Sequence, residues 1–105
     1  MKLTFRPAAI ADIQQAAAYI EATLKNPSAA QKFKSKILQG TALLKENPHM
    51  GMSLSSKADG VDPSVRFIVV SKQLIFYEVH DDRIEVIRVL DGRTDYLARL
   101  FDPTE

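Results

Sequence analysis

The chain opens on alternation, with Leu3 and Phe5 set among Lys2, Thr4 and Arg6, and that period of two predicts a short strand over residues 2–6. Pro7 suits the first turn of a helix, where a missing N–H costs nothing. Ile10, Ile13, Ala17, Ile20 and Leu24 then recur at three- and four-residue steps, one apolar stripe on a helix of about four to five turns. Asn26-Pro27-Ser28 interrupts it, with Ser28 placed to cap a second helix. That helix carries Ala30, Phe33, Ile37, Thr41 and Leu44 on one face. Gly40 gives the first helix room to approach, and Asn47-Pro48 ends the segment. Two such stripes across a short turn make an αα-hairpin.

Residues 49–64 hold two Gly, one Pro and four Ser with little periodicity. They read as a loop, and loops of that length are often functional. Beyond it, Val65–Val70 and Leu74–Val79 are β-branched and aromatic runs joined through Ser71-Lys72-Gln73, a hairpin. His80-Asp81-Asp82-Arg83 makes the next turn, and Ile84–Leu90 completes a three-stranded meander. After Gly92, Tyr96, Leu97, Leu100 and Phe101 fit a terminal helix. The predicted fold is α+β, in the order β-α-α-β-β-β-α, as a single domain over residues 1–105. Its helical hairpin packs on one face of a small, mainly antiparallel sheet. The first strand precedes two helices, so it reaches the sheet only by a long crossover. The second sheet face falls to the terminal helix or to a partner.

A chain of 105 residues with 46% hydrophobic and 26% charged side chains suits one globular domain and disfavours disorder. No apolar run approaches the length of a membrane span, and the N-terminus lacks the apolar centre of a signal peptide. Zero Cys excludes disulfides, a thiolate nucleophile and a Cys-based zinc site, and points to the cytoplasm. The net charge of +1 is unevenly spread: residues 25–57 carry +5, through Lys25, Lys32, Lys34, Lys36, Lys45 and Lys57 against Glu46, and residues 58–105 carry −4. A lysine-rich second helix is either a solvated face or the complement of a negatively charged partner. Lys32 and Lys36 repel each other at helical spacing, a cost such a partner relieves.

Candidate chemistry gathers in the second half. Arg66, Arg88 and Arg93 are residue types that hold phosphate bidentately. Tyr77 and Tyr96 can stack on a base, and His80 has the pKa range for proton transfer. Each also has a plainer reading. An arginine inside an apolar strand, as Arg88 is, commonly pairs with a carboxylate such as Asp91 or Asp95. Tyr77 suits a half-buried core position, and His80, between Val79 and Asp81, suits a solvated turn. His49 has no partner that sequence identifies. Nothing marks a serine as nucleophile, although Ser53, His80 and Asp82 compose a triad on paper. No ligand spacing suggests a metal, and the four scattered glycines form no phosphate cradle. Neither metal nor cofactor is expected.

Taken in order, Pro7 to Ile13, Tyr19-Ile20, Ala29-Ala30, Phe33, Leu44, Pro48 and Gly51 resemble the opening of the RelE/ParE family of bacterial toxins. Arg66-Phe67, Leu74 to Tyr77, Ile84 to Val86 and Arg88 to Arg93 are similar to that family's C-terminal half. The resemblance implies the toxin of a type II toxin–antitoxin system, held inactive by a cognate antitoxin, with operator DNA bound only through that antitoxin. Two chemistries occur in the family. The ParE-like branch inhibits DNA gyrase by protein contact and is not an enzyme. The RelE-like branch is a metal-independent endoribonuclease that cuts mRNA on the ribosome. A degenerate, non-toxic binding module is a third possibility. Leu74 stands where RelE-like nucleases commonly carry arginine, the His-Tyr ending of some relatives is missing, and net charge is low for docking on ribosomal RNA. These departures favour the ParE-like branch.

For a nuclease, the resemblance puts Arg66 and Arg93 first, and Tyr96 and His80 are further candidates by their side-chain chemistry. The expected target-binding surface is Arg66, Tyr77, Arg88, Arg93 and Tyr96, on one arginine-bearing flank of the meander. For the antitoxin the expected contacts are Ile20, Lys32, Lys36 and Phe101, with a helix along the lysine-rich hairpin and an extended segment over the sheet.

Overall fold

In the computed structural model, which describes residues 1–56 and 64–100, alternation and periodicity become five strands and three helices. Strand β1 (Lys2–Phe5) leads into α1 (Pro7–Leu24) and α2 (Pro27–Leu43). A two-residue strand β2 (Met52–Ser53) and a short 3-10 helix (Leu54–Ser56) follow. Then come β3 (Val65–Val70), β4 (Gln73–Val79), β5 (Arg83–Asp91) and α3 (Tyr96–Leu100). The strand order is β1-β5-β4-β3-β2. The meander is antiparallel, and β1 joins it parallel to β5, from Lys2 beside Arg83 to Phe5 beside Val86. The long crossover through both helices is what permits the parallel pairing.

Several local predictions shift. Pro7 does begin α1. The cap of α2 is Asn26 rather than Ser28: its side chain accepts from the amides of Ser28 at 3.0 Å and Ala29 at 3.4 Å. Pro27, with its fixed φ, takes the first helical position, so the cap lies two residues upstream of Ser28. Residues 49–64 are not a structureless loop throughout, because Met52 and Ser53 pair with Phe67 and Arg66 at the sheet edge. Gly40 does accommodate a close approach, but from β3: a Cβ there would stand 2.7 Å from Val70 Cγ2. Between β3 and β4, Ser71 (φ 50°) and Lys72 (φ 66°) form a two-residue turn with both residues left-handed. That geometry matches the twist of the flanking strands.

The sheet is covered on both faces. Ala9, Ala17, Ala30, Phe33 and Ile37 from the helices bury Ile75, Val86 and Val89 on one side. On the other, Phe67, Leu74, Phe76, Ile87 and Leu90 meet Leu54 and the half-buried Tyr96, Leu97 and Leu100 of α3. A register shift gives both clusters their fit. Phe76 pairs with Arg88 and Tyr77 with Val86, so Ile87 is the extra residue of a β-bulge and reaches the α3 side.

The buried face of α1 is Ala9, Asp12 and Ala17, with Ile13, Ala16 and Ile20 half-buried. Ile10 and Leu24, expected in the stripe, are 45% and 62% exposed. Asp12 belongs inside because Arg88 is there. The two make a bidentate pair at 2.7 and 2.9 Å, and Asp12 also accepts the Val89 amide at 3.0 Å. Both side chains are 6% exposed. Removing either partner would leave a buried charge uncompensated, at a cost of about 3–5 kcal/mol.

Candidate functional site

The residues singled out in the sequence do not form one flank. Arg88 is internal, joined to Asp12 and not to Asp91 or Asp95. Arg66, on β3, donates to the carbonyls of Gly51 at 2.8 Å and His49 at 3.4 Å. Tyr77, fully buried, donates to the Pro48 carbonyl and accepts from the Gly51 amide, both at 2.9 Å. Burial pushes its phenol above the usual value, which keeps it a donor. Arg66 and Tyr77 therefore fasten the turn after α2, and a Cβ on Gly51 would stand 2.5 Å from the Tyr77 oxygen. Tyr96 packs against Phe76 on the α3 face, ring centroids 5.8 Å apart. Three arginines around one phosphate is not the arrangement present: two hold the fold.

His80 sits at the far end of the β4–β5 hairpin. Its Nε2 lies 3.2 Å from Glu85 and 3.8 Å from Glu78, residues placed directly opposite by the strand register. Ligand atoms of the three lie within 4.8 Å of one another, a convergence that sequence spacing did not reveal. Arg6 bridges both carboxylates, at 3.3 and 3.2 Å, and relieves the repulsion of the facing acids. Its hydrogen bond is the main reason that Glu85 titrates below the usual range. The Ser53, His80 and Asp82 triad does not assemble: Ser53 meets Ser55, and Asp82 meets Arg83.

What the helices create instead is a groove on each flank of α1. The first has a volume of about 310 Å³. Asp12, Gln15, Ala16 and Tyr19 of α1 form one wall, the turn residues Ser71 and Lys72 with the last residues of β5 form the other, and Ile20 and Phe33 are also part of the lining. Arg93 is also part of the lining. Its guanidinium is 77% exposed and grips Asp91 through Nε at 3.0 Å and a terminal nitrogen at 2.7 Å. That bond, with the Arg93 amide, holds the Asp91 carboxyl down at about 2. Lys72 makes no ion pair among the described residues, though its charge is felt at Asp91. Arg93 and Ile20 were both legible candidates; Tyr19, 71% exposed, and Lys72 were missed.

The second groove, about 240 Å³, is apolar. Phe5, Ile10 and Ile13 face Leu38 of α2, with Gln14 and Lys34 beside them. Ile10 and Leu38 stay 45% and 53% exposed. Lys32 and Lys36 are exposed, but do not line this groove. Helical spacing puts them on the opposite flank of α2 from Leu38. Phe101 lies outside the described residues.

A helical hairpin on one face of a five-stranded, mostly antiparallel sheet, with the first strand entering parallel, is the fold of a known class of bacterial toxin. The chain matches the solved structure described as "Chromosomal ParDE TA system from P. aeruginosa" with a TM-score of 0.71 and 20% identity, over 87% of this chain and 95% of that one. Residues 3–96 match the sequence profile of the "ParE toxin of type II toxin-antitoxin system, parDE". The chain belongs to that family. No curated protein matches the sequence. Among the described residues, no helix is long and apolar enough to cross a membrane.

Proposed function

We propose that the chain is a single-domain, cytoplasmic toxin that inhibits DNA gyrase by protein contact and is held inactive by a cognate antitoxin. Its own reading as a non-enzyme is supported by the destinations of the arginines: Arg66 holds loop carbonyls and Arg88 holds Asp12. Neither is left to stabilise a cleaved phosphate, as a RelE-like nuclease requires. The solved ParDE system supplies the precedent for an antitoxin partner.

The observation that carries the antitoxin reading is the exposed pair Ile10 and Leu38 in an apolar groove edged by Lys34. An amphipathic helix with apolar anchors and an acidic rim is its complement. Operator DNA is bound through the antitoxin and not by this chain.

Expression alone and with the adjacent small reading frame tests the proposal. Growth arrest with DNA cleavage complexes, an SOS response and intact mRNA, relieved by the neighbour, is the expected result. Cleaved mRNA on translating ribosomes with undamaged DNA would move the chain to the nuclease branch. Arrest that the neighbour does not relieve would remove the antitoxin assignment.

A further inference from the structure

We propose that the groove between α1 and the end of β5 is a peptide cleft, which takes an extended, acid-bearing segment of the toxin's target as an added strand on β5. The inference rests on the reading that the target is a protein, DNA gyrase.

Among the described residues, β1 pairs with the outer edge of β5 only as far as Val86. Phe5 pairs with Val86 and the Arg6 amide closes on the Val86 carbonyl at 2.9 Å; there β1 stops and α1 turns away. Past the bulge, the Val89 amide points away from β4, because it donates to Asp12. The Gly92 amide points back, donating to the Lys72 carbonyl at 3.0 Å. Antiparallel ladders alternate, so the carbonyl of Val89 and the amide of Asp91 face outward. Both residues line the groove, and among the described residues neither group meets a partner. A donor and an acceptor two residues apart on an open strand edge are what an extended peptide pairs with.

Side chains around that edge specify the occupant. Ala16, Ile20 and Phe33 offer apolar surface, and the exposed Tyr19 ring offers a face. Asp12 and Asp91 are each matched by an arginine, which leaves Lys72 as surplus positive charge. Lys36, one helical turn from Phe33, is exposed on the same flank of α2. A carboxylate flanked by an apolar or aromatic residue answers this lining. A nucleic-acid strand does so less well, since it needs a track of cations along successive phosphates.

Purified chain is titrated against purified DNA gyrase in a supercoiling assay, beside Tyr19→Ala and Lys72→Glu. Both substituted side chains are exposed, so thermal melting should match the parent. Inhibition should weaken about tenfold or more in each variant. In hydrogen exchange, the Asp91 amide should become protected when gyrase is added. A parent chain that inhibits gyrase while both variants inhibit equally, with no protection at Asp91, overturns the cleft and leaves the gyrase reading intact. Loss of plain duplex DNA binding in the same variants would reassign the groove to phosphate. A parent chain without effect on gyrase overturns the target reading, and the cleft's assignment to that partner falls with it.

Discussion

The two grooves flanking α1 are built from the same helix and differ in kind. Toward Leu38, α1 offers Ile10 and Ile13, apolar positions with little to fix a partner's orientation. Toward β5 it offers Asp12, Gln15 and Tyr19, and the opposite wall is strand edge and paired charge. Burial in the first is non-directional, worth about 25 cal/mol per Å² of apolar surface. Hydrogen bonds and ion pairs in the second demand a register. One face thus suits a tight inhibitor of simple amphipathic pattern, and the other suits selection of a target sequence.

The sharpest way to break the contrast is to loosen the helix the grooves share at its buried anchor, Asp12. Asp12→Ala should cost about 3–5 kcal/mol in urea unfolding and weaken binding at both grooves. Loss at one only would mean that α1 is not fixed by this pair. Next in size, Leu38→Asp should weaken the antitoxin by about 2 kcal/mol or more in calorimetry, while stability moves by under about 0.5 kcal/mol and gyrase inhibition is unchanged. If the antitoxin still binds normally, the apolar groove is not its seat. Tyr77→Phe touches neither groove. It should cost about 1–2 kcal/mol by leaving the Gly51 amide unpaired, measurable as a lower melting temperature with both binding activities retained.

The smallest effect lies at the mouth of the charged groove. By carbon-detected NMR the Asp91 carboxyl should titrate near 2, and Arg93→Ala should return it toward its ordinary 3.8. Its folded value is depressed, so its contribution to stability is complete above about pH 4 and is lost as pH falls toward 2. Exposure of Arg93 makes the shift salt-sensitive.

Strands were the readable part of this chain. Val65–Val70 and the β5 run declare themselves through β-branched content, and the structure moves their bounds by a residue at most. Ile10 was misjudged because periodicity reports an apolar face without saying whether core or partner covers it. Its neighbour Asp12 was hidden by the same stripe, since a buried carboxylate becomes intelligible only beside its arginine. Strand β2, at two residues, is too short for any periodic signal. The charged groove was legible in Arg93 and Ile20. Tyr19 and Lys72 meet there only because a hairpin turn folds back beside α1, which no local pattern encodes.

The partner of Asp12 lies 76 residues further along the chain, and this orders synthesis as well as structure. The helical hairpin is synthesised before Arg88 is, with a lone carboxylate in its inward face. Long-range closure of this sort is slow relative to helix formation. Both surfaces of α1 therefore take their final form only once the last strand is laid down, so a newborn chain lacks its functional shape for most of its translation.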